Sequence, residues 1–165
     1  MTSATKTTYP RPAAFSTPTD RTIRVERVFD AARDRVWQAM TDPALIAQWW
    51  GPNAKTLVVE KHDFVRGGHW RYVEHGAKGA DGFEGRYREI VPNERFVQTF
   101  EWDGMPGHVA IQTFELEDLG DGRTRLVTTV LLHTTEERDG FLHSGMEPGL
   151  NRAYMQLDAL LEKDA

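Results

Sequence analysis

The chain contains no cysteine among its 165 residues. This absence excludes a disulfide framework, a thiolate nucleophile and a metal site built from thiolates. The chain also lacks an excess of positive charge, because 25 acidic residues outnumber 20 lysines and arginines, for a formal net charge of −5. Nucleic acid is therefore excluded as the main partner, since its binding needs a concentrated basic surface.

The sequence also lacks a long hydrophobic run. No apolar stretch approaches the roughly 20 residues that cross a bilayer, and the N-terminus lacks the apolar segment of a signal peptide. We therefore expect a cytoplasmic protein without membrane insertion. Residues 1–20 are rich in threonine, serine, proline and alanine, which is typical of a disordered tail. We predict a flexible arm over 1–20 and one domain over 21–165.

Aromatic residues are present throughout, beginning with the adjacent pair Trp49 and Trp50. Asp42-Pro43 is typical of a helix start, and Gly51-Pro52 is typical of a helix end. Neighbouring side chains on a helix diverge by about 100°. We therefore expect at least one of the two indoles near a pocket mouth or an interface, with burial of both in the core as the alternative.

Strand-like patterns recur along most of the chain. The clearest alternation, His69 to Glu74, puts Trp70 and Tyr72 on one side, as in a half-buried antiparallel strand. Gly120-Asp121-Gly122 indicates a hairpin. The predicted strands are Thr22 to Phe29, Lys55 to Glu60, His69 to Glu74, Phe83 to Arg88, Phe96 to Trp102, Ala110 to Leu116 and Leu126 to Leu132.

Helices are predicted at both ends of this series. Asp30 is expected to cap a helix that carries Val36, Trp37 and Met40. Thr134 and Glu137 have the spacing of a capping box, and so do Ser144 and Glu147. The second box precedes one apolar helical stripe, formed by Met146, Leu150, Ala153, Tyr154, Leu157, Leu160 and Leu161.

The order of elements predicts the fold class. An antiparallel meander exposes its apolar face unless another element covers it, and the C-terminal helix is the longest candidate. Its stripe spans about 16 residues, or about 24 Å at helical rise. We predict an α+β fold in which a curved antiparallel sheet wraps around a long C-terminal helix, with two short helices after the first strand.

Several segments resemble one known family. Residues Val25 to Pro43, followed by Trp49-Trp50-Gly51-Pro52, are similar to the opening signature of the activator of heat-shock protein 90 ATPase homologue family. Further similarity lies in Gly67-Gly68, Gly85 to Pro92, Gly122 to Leu126 and the Gly145-Met146…Gly149-Leu150 pattern. This family is a branch of the START-like, SRPBCC helix-grip superfamily, and the resemblance covers about residues 22 to 162.

The resemblance implies a cavity between sheet and helix. Family members commonly bind hydrophobic small molecules or have no known ligand, a few superfamily relatives are cyclases or hydrolases, and the eukaryotic namesakes stimulate a chaperone ATPase. The 20-residue arm does not match the extra N-terminal domain of those namesakes, so ligand binding ranks first. A chaperone-type interaction module, with an apolar patch around Trp49 and the arm, is the second hypothesis.

We predict a ligand site lined by aromatic rings, without a cofactor. Tyrosine hydroxyls and the inward Gln98 would orient the ligand, because they need partners that a dry core would not supply. The alternative is that the rings fill the space themselves. Gly85 and Gly149 are compatible either with room for a ligand or with close packing. The predicted lining is Trp50, Trp70, Tyr72, Tyr87, Phe100, Trp102, Met146, Leu150 and Tyr154.

An enzyme of the cyclase or hydrolase kind is the third hypothesis. It requires an ionisable pair inside the cavity, for which His133, His143 and Glu89 are candidates. The six histidines show no metal-site spacing, so no metal is predicted. We interpret Ser144 as a helix cap rather than a nucleophile. Residues 76–82 are interpreted as a mobile loop at the cavity rim, and the outer sheet face as a surface on which two copies could pair.

Overall fold

A computed structural model describes residues 11–51 and 56–163. The predicted helix stop at Pro52 and strand start at Lys55 lie outside these residues. The strands are β1 (Ala14–Ser16), β2 (Thr22–Phe29), β3 (Leu57–His62), β4 (His69–Gly76), β5 (Gly79–Val91), β6 (Arg95–Trp102), β7 (Ala110–Gly120) and β8 (Arg123–Leu131). The helices are α1 (Arg33–Thr41), α2 (Pro43–Ile46), α3 (Thr135–Leu142) and α4 (Met146–Lys163).

The strands form one antiparallel sheet in the order β1-β2-β8-β7-β6-β5-β4-β3. Helix α4 packs against the inner face, where Phe29 of β2 meets Tyr154 of α4 edge-to-face with centroids 5.3 Å apart. The predicted α+β helix-grip fold is confirmed, including two short helices after the strand over residues 22–29. Within the described residues, no helix is both long and apolar enough to traverse a bilayer.

The N-terminal arm contributes a strand that the sequence did not predict. Strand β1 pairs with β2 at the sheet edge, with Phe15 opposite Val25. The backbone N–H of Ala13 donates to Asn151 Oδ1 of α4 across 2.8 Å, in a buried position. Residues 1–10 of the predicted arm lie outside the described residues.

Two of the four predicted helix caps are confirmed. The Asp42 carboxylate accepts from the Ala44 N–H, and the Thr134 hydroxyl accepts from the Glu137 N–H. The prediction for Asp30 is wrong, because α1 begins after Ala32 and Asp30 pairs with Arg11.

The prediction for Ser144 is also wrong. Its hydroxyl donates to the Phe141 carbonyl across 2.7 Å and so ends α3 instead of starting α4. Gly145, with φ of +87°, redirects the chain between the two helices.

The glycine-rich segment over residues 76–82 is not a long loop. Gly76 of β4 pairs with Gly79 of β5, so two residues make the turn and the remainder extends β5. The hairpin predicted at residues 120–122 is confirmed, and all three of its residues have positive φ.

Candidate functional site

The two halves of α4, which lies against the candidate site, are buried to different extents. Towards the C-terminus, Tyr154 and Leu157 are buried against the sheet. Towards the N-terminus, Met146 and Leu150 are only half-buried although they continue the same stripe. A Cβ added at Gly149 would meet nothing within 4 Å. The helix is therefore fully packed towards its C-terminus and partly exposed towards its N-terminus, and we call the partly exposed apolar surface around Met146 and Leu150 the crevice.

Four half-buried rings, which we call the aromatic rim, border this crevice: Trp50, Phe83, Phe100 and Phe141. The ring centroids of Trp50 and Phe83 lie 5.2 Å apart, and those of Phe83 and Phe100 lie 5.6 Å apart. Phe100 contacts Phe141 of α3 at 5.7 Å. The rim thus links the turn after α2, strands β5 and β6, and α3 in one continuous apolar surface that is partly open to solvent.

The two adjacent tryptophans point to different places, as expected from helical geometry. Trp49 is 5% exposed, and its indole N–H donates to the Ala39 carbonyl across 2.8 Å. The Trp50 and Tyr72 ring centroids lie 5.1 Å apart, and Trp50 belongs to the aromatic rim. The interaction patch predicted around Trp49 is therefore wrong, because this indole is enclosed by the core.

Next to the rim lies a polar cluster of the buried Tyr72 and Tyr87 and the half-buried His62. Both hydroxyls approach His62 Nδ1, Tyr72 at 3.5 Å and Tyr87 at 3.4 Å. His62 Nε2 lies 2.6 Å from the Thr41 carbonyl oxygen, which only accepts, so Nε2 carries the proton and the single lone pair of Nδ1 is free to accept from a tyrosine hydroxyl. The three side chains form a hydrogen-bonded network inside an otherwise apolar interior.

Burial sets the ionisation of this cluster. It lowers the pKa of His62, against the opposing effect of the hydrogen bond to the Thr41 carbonyl. It raises the pKa of Tyr87 to about 12 and that of Tyr72 well above the usual value. At neutral pH the cluster therefore holds a neutral imidazole and two neutral phenols, which suits it to contact with an uncharged ligand.

His62 is the residue of this cluster that sequence reasoning missed. With strict alternation, Leu57 and Val59 would be followed inward by Lys61. The pairing of β3 with β4 shifts between Val59 and Lys61, so that His62 lies opposite Trp70. This irregularity moves His62 inward, and no glycine or proline marks it in the sequence.

Gly85 allows its neighbours to pack closely and does not make room for a ligand. A Cβ there would lie 1.8 Å from the Thr99 carbonyl oxygen and 2.8 Å from the Trp70 indole nitrogen. The backbone N–H of Arg86 donates to the Thr99 hydroxyl across 2.8 Å at the same point. Trp70 is fully buried beneath this crossing, and its indole N–H has no hydrogen-bond partner.

The structure brings most of the predicted lining residues to the space between sheet and helix. Trp70, Tyr72, Tyr87 and Tyr154 are buried there; Trp50, Phe100, Met146 and Leu150 are half-buried. Trp102 lies opposite Phe83 on the inner face, as expected, but it is not enclosed between the sheet and the helix. It is 38% exposed, and its indole N–H donates to Asp81 across 3.1 Å, because β6 runs beyond the covered part of the sheet.

Two surface concavities lie away from the crevice. One, of about 550 Å³, is lined by Phe64, Val65, Arg66, Arg88, Glu89 and Ile90. The other, of about 300 Å³, is lined by Arg11, Asp30, Met155, Asp158, Ala159, Leu161 and Glu162. Neither includes a predicted ligand residue, so the crevice is defined by its half-buried rings rather than by either concavity.

The ionisable residues considered for an enzyme do not enter the crevice. His133, His143 and Glu89 are exposed, and Glu89 pairs with Arg95 on the surface. In the part of the chain that the structure describes, no three histidine or acidic side chains are grouped to hold a metal ion. The named candidates for acid–base chemistry therefore lie outside the site.

Comparison with known proteins places this geometry in a family. The model of the family described as Activator of Hsp90 ATPase homolog 1-like protein matches residues 30–162. No curated protein matches the chain.

Solved structures with the same fold come from several bacteria. A Rhodobacter sphaeroides protein is 26% identical with a TM-score of 0.81, over 91% of this chain and 98% of that one. An Arthrobacter aurescens protein is 26% identical with a TM-score of 0.80, over 91% of both chains. The AHSA1 protein from Silicibacter pomeroyi is 26% identical with a TM-score of 0.69, over 87% of this chain and 99% of that one.

Proposed function

We propose, from the premise that this chain belongs to the Activator of Hsp90 ATPase homolog 1-like family, that it binds a hydrophobic or aromatic small molecule in the crevice between the sheet and the N-terminal half of α4. One observation carries the proposal. The aromatic rim stays half-buried on the inner face, whereas the other end of the same face is tightly covered by Tyr154 and Leu157. Apolar surface that the fold leaves uncovered in a concave place is what a small apolar ligand would cover.

The chemistry of the crevice favours an uncharged ligand. Its walls are aromatic and aliphatic, and the polar cluster next to them is neutral at pH 7 because burial lowers the pKa of His62. A ligand ring would stack against Trp50 and Phe83 and contact Met146 and Leu150 on the helix. The neutral hydroxyls of Tyr72 and Tyr87 lie deeper and would orient a polar substituent.

The test compares a variant that fills the crevice with one that does not. Leu150→Trp places an indole in the crevice, and Met155→Trp places one on the exposed side of the same helix, where Met155 is 41% exposed. Thermal unfolding is measured against a set of naphthalene and biphenyl derivatives, and the purified protein is inspected for co-purifying molecules by native mass spectrometry.

Binding to the crevice predicts selective stabilisation. At about five times the dissociation constant, a ligand adds about 1 kcal/mol to the free energy of unfolding. We expect this gain in the wild type and in Met155→Trp but not in Leu150→Trp. The proposal is wrong if no compound stabilises the wild type, or if Leu150→Trp responds as the wild type does.

The exposed tip of the β6–β7 hairpin favours a second candidate function, a protein contact of the chaperone-regulator type. Trp102, Met105 and Val109 are 38%, 49% and 41% exposed, and all three belong to this tip. The test is capture of a purified bacterial Hsp90 homologue, followed by its ATPase rate. Loss of capture in the double variant Trp102→Ser with Met105→Ser, but not in Val58→Ser on β3, would support it; no capture by the wild type would reject it.

A further inference from the structure

Two glutamine side chains on the inner face form an incomplete hydrogen-bonded pair. Gln98 on β6 and Gln112 on β7 are directly opposite each other in the sheet register. Gln98 Nε2 donates to Gln112 Oε1 across 2.8 Å. Among the residues that the structure describes, nothing else pairs with the Gln98 carbonyl oxygen or the Gln112 amide N–H groups. If both amides are turned over, the pair still leaves one acceptor and one donor, so the conclusion does not depend on which amide atom is nitrogen.

Both free groups face accessible space, although Gln98 is only 7% exposed. Among the described residues, the side-chain nitrogen and oxygen atoms that are fully enclosed and have no hydrogen-bond partner belong to residues other than Gln98 and Gln112. The free amide atoms of Gln98 and Gln112 are therefore not fully enclosed by protein. These accessible groups can therefore bind an occupant that completes both hydrogen bonds in place of water.

The surroundings of the pair restrict the chemistry of that occupant. Phe96 and Phe100 flank Gln98 on the same face of β6, and the register places Tyr87 and Val130 at the two ends of the row. None of these neighbours carries a charge. An ionised carboxylate would therefore be bound without a cation, whereas a neutral group with an adjacent donor and acceptor would match the pair without that cost.

We infer that the ligand of the proposed crevice carries a neutral cis-amide-like group, with an N–H next to a C=O, that bonds to the Gln98–Gln112 pair. Lactams, primary amides and uracil-type rings have this arrangement. The inference rests on the proposed function, because the pair gives specificity to a crevice whose affinity comes from its aromatic rim. The N–H of the ligand would donate to one glutamine, and its C=O would accept from the other.

The experiment uses three probes of similar size with the full chain. 2-Quinolone carries an adjacent N–H and C=O, N-methyl-2-quinolone lacks the donor, and naphthalene lacks both groups. Dissociation constants are measured by calorimetric or NMR titration for the wild type and the double variant Gln98→Met with Gln112→Met. Gln38→Met, on the exposed surface of α1, is the matched control. The side-chain NH₂ signals of Gln98 and Gln112 report contact directly.

We expect 2-quinolone to bind the wild type about 5- to 30-fold more tightly than N-methyl-2-quinolone, because the N-methyl probe loses one hydrogen bond and leaves a glutamine carbonyl without its donor. In the double methionine variant this ratio should approach one while naphthalene still binds, and in Gln38→Met it should be unchanged. Both glutamine NH₂ signals should shift with the lactam.

Two other outcomes separate the two proposals. If naphthalene binds and the lactam has no advantage, or if the advantage persists in the double methionine variant, the inference is wrong and the crevice still binds apolar molecules. If none of the probes binds the wild type, the proposed function and the inference fail together.

Discussion

Arg27 on β2 and Asp158 on α4 are joined by two parallel hydrogen bonds, in which each terminal guanidinium nitrogen donates to a different carboxylate oxygen. Arg27 is only 5% exposed, and its guanidinium carbon lies 4.6 Å from the centroid of the Phe29 ring. Arg27 Nε also donates to the Arg11 carbonyl across 3.1 Å. One side chain thus connects the sheet, the helix and the N-terminal segment at the closed end of the fold.

We predict that Asp158→Asn destabilises the protein by about 2–3 kcal/mol, because it leaves the Arg27 charge buried without its counter-charge. The loss is smaller than for a fully enclosed pair, since the Asp158 side chain is 29% exposed. Urea unfolding measures the change. Glu117→Gln, which breaks the exposed pair with Arg125, serves as the control and should cost less than about 1 kcal/mol. Equal losses in the two variants would contradict the assigned role.

His62 should take up its proton at a lower pH in the folded protein than in the unfolded chain. Its folded-state pKa is lowered by burial, so the unfolded chain takes up a proton near pH 6.5 that the folded chain does not. This difference makes the folding stability fall as pH decreases through that value. The comparison of the wild type with His62→Gln isolates the contribution of His62, since the other histidines are the same in both proteins.

NMR titration gives the direct measurement for His62. Its ring protons should respond below pH 6.5, the ordinary pKa of a histidine side chain. A titration of His62 at or above that pH would show that burial does not hold the imidazole neutral.

The glycines near the start of α4 should respond to alanine in opposite ways. Gly149 lies within the helix with open space around it, so Gly149→Ala is expected to raise the free energy of unfolding by up to about 1 kcal/mol. Gly145 has φ of +87°, so Gly145→Ala is expected to lower it by about 1–2 kcal/mol. Chemical denaturation measures both, and a destabilised Gly149→Ala would show that the crevice wall is closed at this point.

Gly85 should not tolerate a side chain. The added methyl group of Gly85→Ala would lie 1.8 Å from the Thr99 carbonyl oxygen, so β5 or β6 must shift. We expect a loss of about 1–3 kcal/mol, typical of overpacking. Gly140→Ala on α3, where nothing lies within 4 Å, is the control and should be neutral or stabilising. A neutral Gly85→Ala would mean that this part of the sheet is open rather than tightly packed.

Much of the fold could be predicted from local patterns. Alternation identified the strands that carry Trp70, Phe96 and Leu116, because one face of each is buried and period two is then visible. The helical stripe through Leu157 identified α4 for the same reason. Strand β1 was missed because three residues pairing at a sheet edge leave no periodic signal.

The candidate site was predicted less completely, and the misses have a common cause. Trp102 continues the inward alternation of β6 but lies beyond the region that the helices cover, so its face is exposed. His62 is turned inward by a shift in the β3–β4 register, and no residue type in the sequence indicates that shift. Phe141 reaches the aromatic rim because α3 folds back over β6, a placement that depends on the whole chain.

The sequence by itself determined the elements and the face that each one buries, because hydrophobic periodicity follows from local backbone geometry. It also determined that Gln98 would be an inward amide in need of a partner. Only the tertiary structure decided that α4 buries Tyr154 fully but leaves Leu150 partly exposed, and that Gln112 is the partner of Gln98. Those properties depend on sheet curvature, strand register and the spacing between elements that are distant in sequence, and these are determined only by tertiary packing.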